Sequence, residues 1–572
     1  MSDESFDYIV IGSGSAGGVI AARLTEDPSI SVLLLEAGPA DDDEMIKMPL
    51  GFSTLFKTKW DWNYETTPQK HLAGRKAYWP RMKALGGCSS MNAMIYIRGN
   101  HADYDEWRDA YGATGWGHDD VLPYFKKAEN NQRLSDQYHG TSGPLWVEDR
   151  GYTHELSTAF VESAVSAGMK RNDDFNGAEQ DGAGQYQVTC KKGRRWSIAD
   201  GYIRPAMDRS NLTVRTEAMV TKIVLDGTRA TGVAYQRHGE SVVVRADREI
   251  VLSGGAINSP QLLMLSGIGP GAHLREHGID VVVDSSGVGQ NLQDHPASGL
   301  LLHTKDTTDM AEMLGIGNLL KWRATGKGPL SSNVGEAGGF FKSRDDLATP
   351  DMQFHVAPTG FYDNGMHEPT RRAVTVAGTL VNVQSRGQLR LRSADPSWHP
   401  EIDAGYFDNR ADLEAMIAGY RKAIDIVYQG PFAKLVDEPW EPASRNPTDD
   451  EIIATIGRLG QTLYHPVATC AMGTIEGSVV DAELKVHGVE GLRVADASVM
   501  PRVPRGNTNA PTIMIGEKCA DLMTGAGRAT SNTGAGRATS NTGAGRATSN
   551  TGAGRATSNT GAGRATSNKE SR

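Results

Sequence analysis

The sequence predicts an α/β fold, and three features near its start carry that prediction. Tyr8–Ile11 is a short apolar run, which is typical of a buried parallel strand. Val19–Leu24 places apolar side chains where they can cover one face of a helix, and Val32–Leu35 is a second apolar run. Strand, helix and strand in this order predict the first unit of a Rossmann-like parallel sheet.

The turn between the first strand and the helix has the spacing G-x-G-x-x-G. Gly12 permits the tight turn, Gly14 lets the backbone approach a pyrophosphate, and Gly17 allows close packing of helix on strand. Ser15, next to Gly14, is also predicted to bind the cofactor. Glu36 follows 19 residues after Gly17, where a carboxylate binds ribose hydroxyls and repels the 2′-phosphate of NADP. These features predict a bound adenine dinucleotide. The motif does not separate FAD from NAD, but its place at the start of a long chain favours FAD. The alternative is a purely structural glycine turn.

Composition narrows the functional classes. The chain has 572 residues, 39% of them hydrophobic and 22% charged, as in a soluble globular protein with more than one domain. No stretch of 18 apolar residues predicts a membrane span, and the first residues, MSDESFDY, do not resemble a signal peptide. We therefore expect a cytoplasmic protein. The net charge of −10 argues against nucleic acid as a partner, and the four separated cysteines have no metal-ligand spacing.

Residues 524–572 form a low-complexity tail in which TGAGRATSN occurs five times before KESR. The tail contains six Arg, one Lys and one Glu, so it carries +6 and leaves −16 on the remainder of the chain. Because it has almost no apolar side chains to bury, we expect it to be disordered. The alternative is a basic tether that holds the protein at the periphery of a membrane or another acidic surface.

Further along, the pattern predicts elements of several kinds. Gly86 and Gly87, followed by small residues, fit backbone that passes close to a flat ligand, or else a turn in the core. Apolar strands are predicted at residues 220–224 and 249–252, and strands of an antiparallel sheet with one wet face at residues 374–383 and 388–392. Residues 412–429 predict an amphipathic helix. A second helix begins at Thr448, with Glu451 completing a capping box.

Several blocks together resemble the glucose–methanol–choline (GMC) family of FAD-dependent alcohol oxidoreductases. They are, in chain order, GSGSAGG, RMKALGGCSSMNAMIYIRG, SGGAINSPQLLMLSGIGP, GVGQNLQDHP, TLYHPVATCAMG and LRVADASVMPRVPRGNTNAPTIMIGEKCADLM. The resemblance covers about residues 5–523. It implies an FAD-binding domain built from residues 1–155, 205–300 and 462–523. It also implies an α+β substrate domain with an antiparallel sheet, built from residues 156–204 and 301–461.

The resemblance implies a catalytic pair, His465 and Asn509. Neutral imidazole can take the hydroxyl proton of an alcohol as a hydride passes to flavin N5. The amide can hold the alcohol oxygen against His465. Pro511 is placed to open a helix beside Asn509 that favours negative charge on reduced flavin.

By the same resemblance, further residues bind the cofactor. Asp496 is expected near the pyrophosphate and ribityl chain, and Val220 is expected to contact the adenine through its backbone. The residues expected along the flavin are Gly86, Gly87, Asn92 and Ala93.

Two positions bear on cofactor linkage and substrate. Met91 stands where some relatives have a histidine that carries the flavin covalently, so we expect dissociable FAD. Glu336 resembles an acid that faces the trimethylammonium group of choline in some members, but it fits a buried structural acid equally well. We expect an uncharged aliphatic or aromatic primary alcohol, with choline as the alternative. A dehydrogenase is favoured over an oxidase, and the sequence leaves open whether a quinone, a carrier protein or O₂ accepts the electrons.

The sequence also allows two functions of other kinds. His273, Glu276 and His277 match H-x-x-E-H, which on a helix would place two histidines on one face as zinc ligands of a metallopeptidase. The short segment looks instead like a charged, solvated helix, so we expect no metal. The other reading is a nucleotide-binding scaffold without catalytic activity.

Overall fold

The apolar runs of the sequence form the centres of two seven-stranded sheets. The computed structural model describes residues 4–525 with the exception of residue 368. Thr524 and Gly525, the first residues of the predicted tail, end the last described helix, and residues 526–572 lie outside the described residues. The strands are β1 (Ser5–Ile11), β2 (Val32–Leu35), β3 (Tyr64–Glu65), β4 (Tyr78–Trp79), β5 (Glu129–Asn131), β6 (Leu145–Val147), β7 (Gly182–Gln185), β8 (Cys190–Lys191), β9 (Arg194–Arg195), β10 (Leu212–Arg215), β11 (Met219–Asp226), β12 (Arg229–Arg237), β13 (Glu240–Leu252), β14 (Ile268–Gly269), β15 (Val283–Asp284), β16 (Pro296–Thr304), β17 (Ala337–Phe341), β18 (Met352–Ala357), β19 (Ala373–Leu380), β20 (Gln388–Arg390), β21 (Glu401–Asp403), β22 (Val436–Glu441), β23 (Gln461–Thr462) and β24 (Leu492–Val494).

Helices cover both sheets and fill the connections between strands. The α-helices are α1 (Gly17–Leu24), α2 (Glu44–Lys47), α3 (His101–Tyr111), α4 (His118–Ala128), α5 (Glu155–Ser166), α6 (Arg204–Ala206), α7 (Gly255–Leu265), α8 (Gly271–Glu276), α9 (Ile316–Thr325), α10 (Arg410–Val427), α11 (Phe432–Leu435), α12 (Asp449–Leu459) and α13 (Asn509–Thr524). Short 3-10 helices occupy Pro49–Leu55, Lys70–Leu72, Gly87–Ser90, Met310–Met313, Pro329–Ser331, Asp363–Gly365 and Ala497–Val499, and a π-helical turn occupies Ala199–Ile203.

The first sheet has the predicted Rossmann-like centre. Its order is β10-β2-β1-β13-β12-β11, with β24 also paired to β13. Strands β10, β2, β1, β13 and β24 run parallel, and β12 and β11 add an antiparallel hairpin at one edge. β1 and β2 are buried almost throughout, as their continuous apolar runs require. The α/β prediction is confirmed.

The second sheet is antiparallel, in the order β22-β16-β19-β18-β17-β7, with β23 also paired to β16. The expected wet face is wrong for β19. Seven of its eight residues are buried, because α10 packs against it and Thr375 and Ala377 face an internal cavity. Residues 388–390 form β20, which pairs with β21 in a separate two-stranded ribbon.

The two predicted helices form close to their expected bounds. α10 begins at Arg410 behind an Asn409 cap, two residues earlier than predicted. α12 has the predicted capping box, in which Thr448 and Glu451 exchange side-chain to backbone hydrogen bonds. All strands of the first sheet fall within residues 1–155, 205–300 and 462–523. The described residues nevertheless belong to one compact unit, so the proposed domain boundaries stay a prediction. No helix of the described part is long and apolar enough to cross a membrane.

Candidate active site

The carboxyl ends of the parallel strands meet at one edge of the first sheet, where α/β sheets bind nucleotides. Gly12 follows β1 with φ +95°, and a Cβ on this residue would lie 2.4 Å from the carbonyl oxygen of Ser253. A Cβ on Gly17 would lie 2.0 Å from the carbonyl oxygen of Gly12. Only glycine fits at either position, so α1 can start directly against the end of β1.

Glu36 lies at the end of β2 and holds the glycine turn in shape. Its carboxylate accepts hydrogen bonds from the backbone N–H of Ser13 at 3.1 Å, the hydroxyl of Ser13 at 2.6 Å and the N–H of Gly38 at 2.9 Å. Burial raises the pKa of this carboxyl group, and the hydrogen bonds from Ser13 and Gly38 act in the opposite direction. Glu36 thus joins the two strand ends that would flank a nucleotide.

The second glycine segment packs directly on the first. Gly87 has φ +52°, and a Cβ there would lie 2.6 Å from the Cα of Gly14. Gly86 has φ +89°, and its N–H donates to the hydroxyl of Ser13 at 3.1 Å. Segments 73 residues apart therefore form one continuous glycine-rich surface.

Both segments open into one large cavity. Its lining includes Gly12, Gly14, Ser15 and Glu36 from the first turn, Gly87, Met91, Asn92 and Ala93 from the second, and Val220 and Asp496. Backbone that lacks Cβ atoms beside a strand end and the start of a helix fits the pyrophosphate of a dinucleotide. Of the predicted cofactor residues, Gly17, Gly86 and Pro511 do not belong to the lining and would act by shaping it.

Asp496 follows β24 at the same edge of the sheet. Its carboxylate accepts from the N–H of Gly255 at 2.8 Å, the hydroxyl of Ser259 at 2.6 Å and the N–H of Ser498 at 2.8 Å. Gly255 is the first residue of α7. Burial raises the pKa of Asp496, opposed by these hydrogen bonds. The residue fixes the start of α7 against the cavity wall.

His465 lies in the same cavity, and its ring contacts His295, which was not among the predicted site residues. β16 pairs with β23 through Pro296 and Thr462, which brings the residues next to these strands together. His465 Nδ1 lies 3.0 Å from Nδ1 of His295, and the two rings are perpendicular with centroids 5.1 Å apart. The backbone N–H of His465 donates to Asp294 at 2.8 Å, so both ring and backbone are held.

The amide nearest His465 belongs to Asn507, not Asn509. Asn507 Nδ2 lies 3.4 Å from His465 Nε2. Asn509 Oδ1 instead accepts a hydrogen bond from the hydroxyl of Ser15 at 2.8 Å, which ties the start of α13 to the glycine turn. Both asparagines line the cavity. α13 begins at Asn509, two residues before the expected Pro511.

Burial keeps the histidines of the cavity neutral. It lowers the pKa of His295 and of His355 to about 3, and the pKa of His465 lies well below its ordinary value, through burial and the two neighbouring histidines. A neutral imidazole has a free lone pair, so His465 is ready to accept a proton throughout the neutral pH range.

The cavity beside His465 is apolar. Tyr464 belongs to a cluster that also contains Phe52, Phe56 and Phe361, with the Phe56 and Tyr464 rings 5.9 Å apart. Met82 and Met91 belong to the same cluster, and all six side chains line the cavity. Among the described lining residues, Glu36 and Asp496 are the acidic ones, and both carboxylates are occupied by the hydrogen bonds given above.

Glu336 is fully buried outside this lining. Its carboxylate accepts from the N–H of His154 at 2.7 Å, the hydroxyl of Ser157 at 2.7 Å and the hydroxyl of Ser332 at 2.6 Å. The carboxylate therefore joins the start of α5 to the loop before β17. This geometry corresponds to the structural acid and gives no support to a cation site.

The H-x-x-E-H segment does not form a zinc site. His277 lies beyond the end of α8, and both ring nitrogens of His273 already have partners. Nδ1 lies 3.1 Å from Arg390 and 3.3 Å from Glu276, and Nε2 accepts from the N–H of Leu391 at 3.0 Å. The group of potential metal ligands found among the described residues lies elsewhere, at Asp136, His139 and Asp174.

Two of the three residues that the sequence did not single out stand in family blocks quoted above. His295 stands in the quoted block GVGQNLQDHP, and Asn507 is the first asparagine of the block that contains Asn509. His355 lies on β18 and faces the cavity. It stands in no quoted block, and only the fold brings it near His465.

Comparison with known proteins identifies the family. The N-terminal model of the GMC oxidoreductases matches residues 6–297, and the C-terminal model matches residues 383–516. The chain is 44% identical to the alcohol dehydrogenase (acceptor) of Pseudomonas putida, with 91% of this chain and 95% of that protein covered. It is 41% identical to the mitochondrial choline dehydrogenase of Homo sapiens, with 92% and 90% covered. The crystal structure of pyridoxine 4-oxidase from Mesorbium loti is similar with a TM-score of 0.84 and 30% identity, covering 91% of this chain and 99% of that one. The chain belongs to the GMC oxidoreductase family.

Proposed function

We propose that this protein oxidises an uncharged primary alcohol to the aldehyde, using FAD. The observation that carries the proposal is the convergence in one cavity of the glycine-rich surface, neutral His465 and the amide of Asn507. Bound FAD supplies the acceptor for the hydride that leaves the alcohol carbon. The names of the relatives, an alcohol dehydrogenase and a choline dehydrogenase, agree with this reaction class.

His465 serves as the general base. Its Nε2 and the Nδ2 of Asn507 are 3.4 Å apart, so one substrate hydroxyl can donate to the first and accept from the second. The hydroxyl proton passes to His465 Nε2 as the hydride leaves the carbon, and the amide stabilises negative charge on the oxygen. Asn507 thus takes the catalytic role that the sequence prediction gave to Asn509. Asn509 positions the glycine turn through Ser15.

The residues that would hold the dinucleotide are the predicted ones that line the cavity: Gly12, Gly14, Ser15, Glu36, Gly87, Asn92, Ala93, Val220 and Asp496. The glycine contacts fit the group, because added Cβ atoms would collide with neighbouring backbone and force apart the two segments that form this surface. Met91 lines the cavity and has no nucleophilic nitrogen. We therefore propose non-covalent binding.

The apolar cluster favours an uncharged aliphatic or aromatic substrate over choline. Aromatic faces alone hold a quaternary ammonium ion less well than aromatic faces beside a free carboxylate, and the two carboxylates of the lining, Glu36 and Asp496, already accept hydrogen bonds. Glu336 lies outside the lining, and Arg81 contributes a positive charge to it. Repulsion by this charge disfavours a cationic alcohol.

The test is anaerobic reduction by a panel of alcohols. Purified holoenzyme is mixed with straight-chain alcohols, benzyl alcohol and choline, and bleaching of the flavin absorbance is followed. We expect bleaching with uncharged alcohols and little with choline. If choline bleaches the flavin faster than every uncharged alcohol, the substrate class is wrong. If no alcohol bleaches it, the proposed reaction is wrong.

We further propose a dehydrogenase that passes its electrons to a quinone or a carrier protein, and the word dehydrogenase in the names of both relatives supports the first part of this proposal. Reoxidation of the bleached enzyme by a soluble quinone should be much faster than by air. Faster reoxidation in air would make the enzyme an oxidase.

Within a cytoplasmic location, we propose peripheral contact with a membrane through α9. Leu314, Ile316 and Leu320 are 61%, 79% and 60% exposed, and Lys321 and Lys327 are exposed beside them. Exposed apolar side chains flanked by lysines suit an anionic bilayer surface. Full-length protein should sediment with phosphatidylglycerol vesicles, and Ile316→Asp with Leu320→Asp should abolish this. Ile475→Asp, at another exposed apolar position, serves as the control. Unchanged sedimentation of the double variant would assign any binding to another part of the chain.

A further inference from the structure

A chain of hydrogen bonds runs through the cavity wall on both sides of His465. Tyr186 stands at one end, and its hydroxyl donates to the backbone carbonyl of Phe354 at 2.6 Å. Because that hydroxyl hydrogen is committed, the oxygen accepts from Gln353 Nε2 at 3.4 Å. The same Nε2 donates to Asn507 Oδ1 at 3.3 Å. Asn507 is therefore held with its carbonyl towards Gln353 and its NH₂ group towards His465.

The direction of these bonds continues through His465. The NH₂ group of Asn507 can only donate, so the His465 Nε2 that faces it accepts. In a neutral imidazole the other nitrogen then carries the proton, so His465 Nδ1 donates to His295 Nδ1 across the 3.0 Å contact. His295 in turn carries its proton on Nε2. That nitrogen is buried and has no hydrogen-bond partner among the described residues. Burial lowers the pKa of the ring, and the backbone carbonyls of Val381 and Pro504 oppose this in part.

We propose that Gln353 and His295 are positioning residues that fix the tautomer of His465 with the lone pair on Nε2, the nitrogen facing Asn507. The inference rests on the proposed role of His465 as the base. In the opposite tautomer Nε2 would carry hydrogen and could not accept the hydroxyl proton. His295 also accepts from Nδ1–H when His465 becomes positively charged during the proton transfer. Gln353 and His295 are buried and Asn507 is partly buried, so two of the three side chains are shielded from solvent.

The charged and titratable groups around His295 are few. His465 and His355 lie near its ring, Arg81 acts on His465, and Asp294 precedes His295 in the chain. Asp294 bonds to the backbone N–H of His465 and to the hydroxyl of Tyr406. Of these groups, none offers His465 Nδ1 a hydrogen-bond acceptor in place of His295 Nδ1.

Two pairs of variants test the proposal on the full-length holoenzyme. His295→Asn keeps an acceptor oxygen near the Nδ1 position, whereas His295→Leu removes it. Gln353→Leu removes the donor to Asn507, whereas Gln353→Glu substitutes an acceptor and turns the Asn507 amide over. The rate of flavin bleaching is measured against pH for each variant, with flavin content and the unfolding midpoint as controls for folding.

We expect His295→Leu to slow bleaching by about 10- to 100-fold, the range for a lost hydrogen bond to a charged group, and His295→Asn to restore most of the rate. Gln353→Glu should be slower than Gln353→Leu, although it is closer to glutamine in shape. Both slow variants should stay slow as the pH rises, because the two tautomers of a neutral imidazole carry the same number of protons and their ratio does not depend on pH. Equal rates for Asn and Leu at 295, or a faster Glu than Leu at 353, would overturn the proposal. Failure of the wild-type protein to bleach with any alcohol would instead overturn the proposed function.

Discussion

Asn507 and Asn509 are the two asparagines of the segment NTN. Replacing them with alanine one at a time separates their roles. Asn507 Nδ2 lies 3.4 Å from the proposed base, whereas Asn509 Oδ1 accepts from Ser15 at 2.8 Å. Asn507→Ala removes a donor aimed at the oxygen on which charge develops. Loss of one such donor lowers kcat by about 10²- to 10³-fold. FAD content should stay normal, because Asn507 makes no hydrogen bond to the glycine turn among the bonds described.

Asn509→Ala should weaken FAD binding and leave kcat nearly unchanged. It removes one hydrogen bond to Ser15, worth about 0.5–1.5 kcal/mol. That loss corresponds to FAD binding weaker by about 2- to 12-fold, with kcat changed by less than about tenfold once the site is saturated. Stopped-flow bleaching gives the rate, and titration of deflavinated protein with FAD gives the dissociation constant. If Asn509→Ala loses a hundredfold in rate while saturated and Asn507→Ala does not, the assignment drawn from the hydrogen bonds is wrong.

Four further outcomes are expected. His465→Ala should retain flavin and lose at least about 10²-fold in turnover, the usual contribution of a general base, and near-normal turnover would remove it from the mechanism. Acid precipitation should leave yellow FAD in the supernatant, whereas a yellow pellet would contradict non-covalent binding. Gly87→Ala should abolish FAD binding, because its Cβ would lie 2.6 Å from Gly14 Cα, while Gly74→Ala, also at positive φ but with nothing within 4 Å, should bind normally. The pKa of His355 is lowered by burial to about 3, below the ordinary ~6.5 of the unfolded chain. Its contribution to stability is therefore complete above pH ~6.5 and falls by about 1.4 kcal/mol per pH unit below it. In His355→Asn the free energy of unfolding, measured by urea titration at several pH values, should fall less steeply as the pH decreases, by about 1.4 kcal/mol per pH unit. An unchanged slope would show that the imidazole titrates normally.

Local patterns predicted the parts of the fold that local forces determine. The strand–turn–helix unit at β1, α1 and β2 follows from apolar periodicity and from glycines without which the turn cannot close. The start of α12 follows from a capping box that operates within four residues. Such features need no knowledge of distant segments, and they formed within three residues of their expected bounds.

The details of the site depend on contacts between distant segments. His295 meets His465 only because β16 and β23 pair in one particular register across 170 residues. Asn507 and Asn509 are two residues apart, and the start of α13 decides which one turns towards Ser15. The carboxylate of Glu336 accepts hydrogen bonds from donors near residue 155, which no pattern around residue 336 reveals. The spacing of residues along the sequence cannot predict which way these side chains point.

The parallel sheet joins the two ends of the described chain, and this has a consequence for biosynthesis. β24 completes the sheet beside β13, Arg23 on α1 is paired with Glu517 on α13, and Ser15 is held by Asn509. Because synthesis proceeds from the N-terminus, Ser15 is made 494 residues before Asn509. We therefore expect the glycine turn to gain its full support, and with it FAD, only after residues 492–524 have been synthesised.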